Sequence, residues 1–170
     1  MILKHKFNYK LRMQGYSIVF QEVPGEVSLA LSISGCQYKC PDCHSKYLWN
    51  DIGENVMKKL PALLNKYGQS ITCVCFMGGN QRPEELRRLV AYCRDLGYKT
   101  CLYTGADSPS DLRTSLIEQL DYLKTGPFIK EFGPLTSPRT NQRFYKVVHN
   151  PRGAIILEDK TNLFWKEHLR

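Results

Sequence analysis

At 170 residues with a formal net charge of +8, the chain is long enough to bury a core and short enough for a single domain over residues 1–170. Its 42% hydrophobic and 24% charged residues exclude a disordered or fibrous protein, and no apolar run reaches membrane-spanning length. Seven cysteines, an odd number, argue against a disulfide framework, and the charge-broken start "MILKHKFNYKLRMQG" lacks the apolar core of a signal peptide, so a cytoplasmic protein is expected.

In chain order, "YSIVFQEV" (16–23) and "EVSLALSIS" (26–34) read as strands parted by a turn at Pro24-Gly25. In the second, Val27, Leu29, Leu31 and Ile33 alternate with Ser28, Ala30, Ser32 and Ser34. That spacing predicts a half-buried strand whose C-terminal end delivers Cys36. "ENVMKKLPALLNKYG" (54–68) predicts a helix with Pro61 as a kink or restart. "ITCVCFM" (71–77) predicts a buried strand. "RPEELRRLVAYCRDLG" (82–97) predicts a helix opened by Pro83 and closed by Gly97. "YKTCLYT" (98–104) predicts a strand, "SPSDLRTSLIEQL" (108–120) a helix and "DYLKTG" (121–126) a short strand. Residues 126–141, rich in Gly, Pro, Ser and Thr, predict a long functional loop. A hairpin follows from "QRFYKVVH" (142–149) and "AIILED" (154–159). Leu163, Phe164, Trp165 and Leu169 suggest a short docking helix.

This alternation of strand and helix implies an α/β fold with a parallel sheet and crossover helices. Ligands of such sheets bind beyond the carboxyl ends of the strands. Cys36, Gly78-Gly79 and Thr104-Gly105 all fall at such ends. The basic residues are scattered in singles and pairs. They form no stripe of the nucleic-acid-binding kind, and read either as a solvated basic surface or as a field that draws an acidic partner.

The chemistry concentrates in "SGCQYKCPDCHSKYLW" (34–49), where Cys36, Cys40 and Cys43 are spaced C-x3-C-x2-C. Three thiolates can hold three corners of a cubane iron–sulfur cluster and leave one iron free for a small molecule. The competing reading is a four-ligand zinc site, for which His44 lies too close to Cys43 to close a tetrahedron comfortably. Cys73, Cys75, Cys93 and Cys101 fall on predicted strands and a helix, where small buried residues are the plain expectation.

The cysteine spacing after a first strand resembles the signature of the radical S-adenosylmethionine enzymes. "GCQYKCPDCHSKYLW" and "ITCVCFMGGN" resemble, more narrowly, the small activases of glycyl-radical enzymes. "DYLKTGPF" and "LTSPRTNQRFY" resemble the branch that activates anaerobic, class III ribonucleoside-triphosphate reductase. The likeness runs in pieces from about residue 18 onward. It implies a partial, open (β/α) barrel with a parallel sheet, a [4Fe-4S] cluster on Cys36, Cys40 and Cys43, and S-adenosylmethionine as cofactor. It also implies an oxidoreductase that cleaves that cofactor reductively and abstracts a glycine hydrogen from the reductase. Asp42, Cys43 and His44 would line its adenine side, and the backbone of Gly78 and Gly79 would receive its ammonium group. Thr104, Gly105 and Lys124 would be further contacts. Asn80 departs from the family, which usually has an acid there; an amide keeps an acceptor oxygen and loses the charge. Asn141, Gln142 and Arg143 would bind the protein partner, and a flavodoxin- or ferredoxin-type protein would donate electrons. No nucleic acid or membrane is expected as a partner. Two other readings stay open at this point: a formate-lyase-type activase or another small radical enzyme, and a non-catalytic metal-binding module.

Overall fold

The computed structural model of the protein describes residues 7–165. In chain order it contains strands β1 (Arg12–Val19), β2 (Ser28–Ile33) and β3 (Glu54–Asn55), helix α1 (Val56–Tyr67), β4 (Cys73–Met77), α2 (Pro83–Asp95) and β5 (Lys99–Tyr103). Helix α3 (Thr114–Ile117) and strands β6 (Tyr122–Thr125), β7 (Arg143–His149) and β8 (Ile155–Asp159) follow. The eight strands form one sheet in the order β3-β1-β2-β4-β5-β6-β7-β8.

The parallel sheet expected from the sequence is confined to its centre. Strands β2, β4, β5 and β6 pair in parallel, while β1, β3, β7 and β8 join antiparallel at the two sides. The β1–β2, β6–β7 and β7–β8 connections carry no crossover helix and reverse direction, while the two-residue β3 pairs with the outer side of β1. The central strands follow one another in chain order, each through a crossover. Right-handed crossovers taken in one direction put every helix on one face.

That face holds the larger core. Leu60, Leu63 and Leu64 of α1, Leu86, Leu89 and Val90 of α2, and Leu116 and Ile117 of α3 bury against Leu31, Phe76, Leu102 and Leu123 of the sheet. Asn55 caps α1 by accepting from the Lys58 amide at 3.1 Å, and the helix runs through Pro61 without a break. Pro83 opens α2 with Glu84 and Glu85 in its first turn. Buried Glu85 accepts from the Leu11 amide at 2.6 Å, tying the segment before β1 to that turn. Gly97 leaves the helix at φ +90°, where a side chain would be strained.

Three expectations change. The helix foreseen over 108–120 reduces to a 3-10 turn at Pro109–Asp111 and the four-residue α3, because Leu112 and Arg113 take extended backbone between them. β2 is buried on both faces rather than one. Its second face belongs to a smaller cluster in which Ala30, Cys73, Cys75, Cys101 and Phe144 of the sheet are covered by Val23 and Leu135 from loops, and not by helices. At the C-terminus a 3-10 turn at Thr161–Phe164 is present; the remainder of the foreseen docking helix lies outside the described residues. No helix of the described residues is long and apolar enough to cross a membrane.

Candidate iron–sulfur site

The parallel register carries one row of residues straight across the sheet. Ser32 pairs with Met77, Met77 with Tyr103 and Tyr103 with Lys124. Paired residues project to the same face, because side chains alternate along each strand. Met77 and Tyr103 pack against the smaller, helix-free core. One step further along, Gly78 and Thr104 end β4 and β5. Beyond this row lies a cavity of about 190 Å³ lined by Cys36, Cys43, Met77, Gly78, Asn80, Tyr103, Thr104, Gly105 and Lys124, with Tyr38 and Trp49 from the cysteine loop and its flank.

The cysteine loop starts where β2 stops. Gly35 stands at φ +78°, and a Cβ there would lie 3.3 Å from Asp51, so the turn out of the strand calls for glycine. The Cys36 amide donates to the Leu48 carbonyl at 3.0 Å and the Cys43 amide to Cys40 at 3.0 Å. The Ser45 amide donates to the Cys43 sulfur at 3.3 Å. Lys124 is buried and donates to the Gly126 carbonyl at 2.7 Å. Burial pushes its ammonium down to about 8, and the charges of Cys40 and Cys43 work in the opposite direction. The loop's sulfurs and the end of β6 thus share one electrostatic environment.

The structure therefore brings together Cys36, Cys43, Gly78, Asn80, Thr104 and Lys124. Asp42 and His44 are exposed and, with Cys40 and Gly79, do not line the cavity. His44 instead approaches Phe128 of the long loop, with ring centroids 5.2 Å apart. The Gly79 carbonyl accepts from the Arg82 amide at 3.1 Å, and a Cβ on Gly79 would face Leu86 and Ile33. Its need for glycine comes from the core, whereas Gly78 borders the cavity. The side-chain donors of the Asn141–Arg143 segment bond to the chain's own carbonyls, while the Asn141 Oδ1 is buried without a partner among the described residues and Arg143 stays exposed. Asn141 and Gln142 donate to the Pro127 carbonyl at 2.9 and 3.5 Å, and Arg143 donates to the carbonyls of Thr140 and Gln142, both at 2.9 Å. They brace the two ends of the 126–141 loop against each other.

Sequence reasoning passed over Tyr38. Its hydroxyl accepts from the Asn80 amide at 2.6 Å, and Gly105 supports its ring. The one available signal was a hydroxylated aromatic inside the C-x3-C interval.

The donor set fits a cluster better than a single ion. Among the described residues no group of three or more His, Cys, Asp or Glu is arranged to hold one metal ion. Ligands to separate corners of a cubane stand farther apart than ligands to one ion, so three thiols in one loop remain suited to a cluster. Trp49 keeps its indole N–H buried without a partner among the described residues, a donor of the type that cluster sulfurs accept. The four other cysteines are buried. Burial raises the thiols of Cys73, Cys93 and Cys101 far above their ordinary range, which makes them inert core residues.

A loop of three thiols opening on a cavity at the carboxyl edge of a sheet is the arrangement of an iron–sulfur protein. Residues 23–145 match the model of the 4Fe-4S single cluster domain, and the chain belongs to that family. No curated protein and no solved structure matches it.

Proposed function

We propose that the chain is a radical S-adenosylmethionine activase that installs a glycyl radical on anaerobic ribonucleoside-triphosphate reductase, and that its sheet is the open (β/α) barrel of that class. The carrying observation is the three-thiol loop whose Cys36 and Cys43 line one cavity with the ends of β4, β5 and β6, a lining that among the described residues holds no other Cys and no His, Asp or Glu. Cys36, Cys40 and Cys43 would hold the cluster, which, when bound, would supply the electron for reductive cleavage of S-adenosylmethionine and so the means of abstracting the glycine hydrogen.

The chain's own residues supply position and dryness. The backbone at Gly78, which carries no Cβ, permits close approach on one side. Lys124 offers a buried positive charge to the carboxylate on the other. Met77 and Tyr103 form the floor and keep water off the reacting atoms. Asn80 is engaged with Tyr38 and Thr104, so its contribution is to the shape of the wall. The surplus of positive charge favours encounter with an acidic electron donor of the flavodoxin type, at a salt-sensitive rate.

The test mixes anaerobically reconstituted protein, reductant and S-adenosylmethionine with the reductase, and separately with a formate lyase. A glycyl doublet in electron paramagnetic resonance is expected with the reductase only. A doublet on the lyase alone overturns the choice of partner. No doublet on either, with an intact cluster, overturns the activase reading.

A further inference from the structure

We propose that Tyr38 is the residue that seats the cluster-binding loop on the sheet, by tying the segment between Cys36 and Cys40 to the ends of both β4 and β5. The proposal rests on these cysteines being cluster ligands.

Three observations carry it. First, among the described residues Tyr38 is the one side chain from Cys36 to Cys43 that hydrogen-bonds to the ends of β4 and β5; a second link, from Gln81 Nε2 to the Ser34 carbonyl at 2.8 Å, holds only the root of the loop. The Tyr38 hydroxyl accepts from the Asn80 amide at 2.6 Å and lies 3.3 Å from the Thr104 hydroxyl. Thr104 in turn donates to the Asn80 side-chain oxygen at 3.1 Å and accepts from the Ala106 amide at 3.1 Å. The bonds from Cys36 to Leu48, from Cys43 to Cys40 and from Ser45 to the Cys43 sulfur stay within the loop or its own flank, and Gln14 of β1 holds that flank by donating to the Tyr47 carbonyl at 2.6 Å. Second, the ring lies flush on Gly105. A Cβ built there would stand 2.7 Å from Tyr38 Cγ and 2.8 Å from Cδ2, closer than real contacts come. Gly105 is not at positive φ, so the ring, not the backbone, requires glycine at this position. Third, Lys39 is the one non-glycine residue of positive φ among the described residues, at +46°. The chain turns left-handed directly after Tyr38, which reverses it toward Cys40. Such a conformation persists where the surroundings fix it, and the anchored Tyr38 is what fixes it.

The arrangement also gives Asn80 a reason of its own. Its amide donates to one hydroxyl and accepts from the other. A carboxylate only accepts, and both hydroxyls would turn to donate to it. Asn80→Asp therefore keeps the tether, whereas Asn80→Ala cuts it.

The test reads the cluster itself, not turnover. Wild type, Tyr38→Phe, Gly105→Ala, Asn80→Ala, Asn80→Asp and the control Tyr47→Phe are reconstituted anaerobically with iron and sulfide. Iron release to a chelator and the electron paramagnetic resonance spectrum of the reduced cluster are then recorded, with thermal unfolding of the apo proteins as the fold check. Tyr38→Phe is expected to release iron about fivefold faster, the factor of one net hydrogen bond, and to show an altered spectrum. Gly105→Ala, which displaces the ring, should do at least as much. Asn80→Asp should behave as wild type. The double variant Tyr38→Phe/Asn80→Ala should be no worse than the poorer single, because both cut the same link. Should Gly105→Ala fail to fold, Tyr38→Phe decides alone. Release and spectrum equal to wild type in Tyr38→Phe, or full additivity in the double variant, overturns the tether. A wild type that binds no iron overturns the ligand assignment instead, and the tether with it.

Discussion

A single methyl group at Gly79 separates the demands of the core from those of the site. Gly79 sits at φ +107°, and an added Cβ would lie 3.3 Å from Leu86 Cδ1 and 3.7 Å from Ile33 Cγ2. Both neighbours are buried to 1% exposure or less, so neither can swing into solvent. The backbone strain costs about 1–3 kcal/mol and the overpacking roughly 1–3 kcal/mol. Together these give about 2–6 kcal/mol, or a fall in Tm of roughly 5–20 °C for a chain of this size. Gly97 isolates the first contribution: it stands at φ +90° with nothing within 4 Å of its Cβ. Gly79→Ala should therefore lower the apo-protein Tm clearly more than Gly97→Ala, measured by circular dichroism. Its iron content per folded chain should match wild type, because the methyl points at Leu86 and away from the cavity. Equal Tm losses at the two glycines would refute the packing argument. Iron loss at an unchanged Tm would show that Gly79 faces the site after all.

Alanine at Cys36, Cys40 or Cys43 should abolish iron and sulfide uptake after anaerobic reconstitution, whereas Cys93→Ala should leave about four irons per chain; stoichiometric zinc, stable in air, would speak for a different metal centre. The pH dependence of folding centres on Glu26, which is nearly buried at the start of the sheet and receives hydrogen bonds from Lys99 and, at 2.8 Å, from Tyr122. Burial works to raise its carboxyl, but the hydrogen bonds of Lys99, Thr72 and Tyr122 outweigh it and leave the group below 4.5. A depressed folded-state value stabilises the protein above the ordinary carboxylate range and ceases to as the pH falls through it. Wild-type Tm should drop between about pH 5 and pH 3, and Glu26→Gln should flatten that drop; identical profiles would remove Glu26 from the account.

The central strands were legible because each is a short apolar run bounded by glycine or polar residues. "ITCVCFM" and "YKTCLYT" fall within two residues of β4 and β5. The edges were less so. Antiparallel and parallel strands carry the same β-forming residues, and direction is set by connection length, which explains the mixed sheet. Over 108–120 the apolar spacing suits a helix, yet Ser108 and Asp111 close a capping box around Pro109 and the chain leaves the helix at Leu112. Local hydrogen bonding overrode periodicity there. In the site, cysteine spacing identified the loop, strand-end positions identified Gly78-Gly79 and Thr104-Gly105, and the family resemblance added Asn80 and Lys124. Tyr38 was out of reach, since its partners lie 42 and 66 residues away. Asn141, Gln142 and Arg143 were read as recognition groups from the family resemblance and their hydrogen-bonding chemistry, neither of which shows how far the fold commits those donors to the chain's own carbonyls.

The placement of the cavity follows from the way the sheet is wound. A sheet wound in both directions carries helices on both faces, and its ligand lies where the order reverses. Here β2, β4, β5 and β6 follow one another without reversal, the helices occupy one face, and the other is left to loops. A row that projects to the loop face meets no helix at its carboxyl end, so the cysteine loop can fold over it. Met77 and Tyr103 in that row have apolar bodies suited to such a place. Lys124 does not, and burying its ammonium is costly. One carbonyl and the face of the Tyr103 ring, 5.9 Å from the nitrogen, answer that cost in part. Cys40 and Cys43 stand close enough that negative charge there would offset more of it. Those thiols are charged when they hold iron, so the lysine and the cysteine loop each make chemical sense of the other's position.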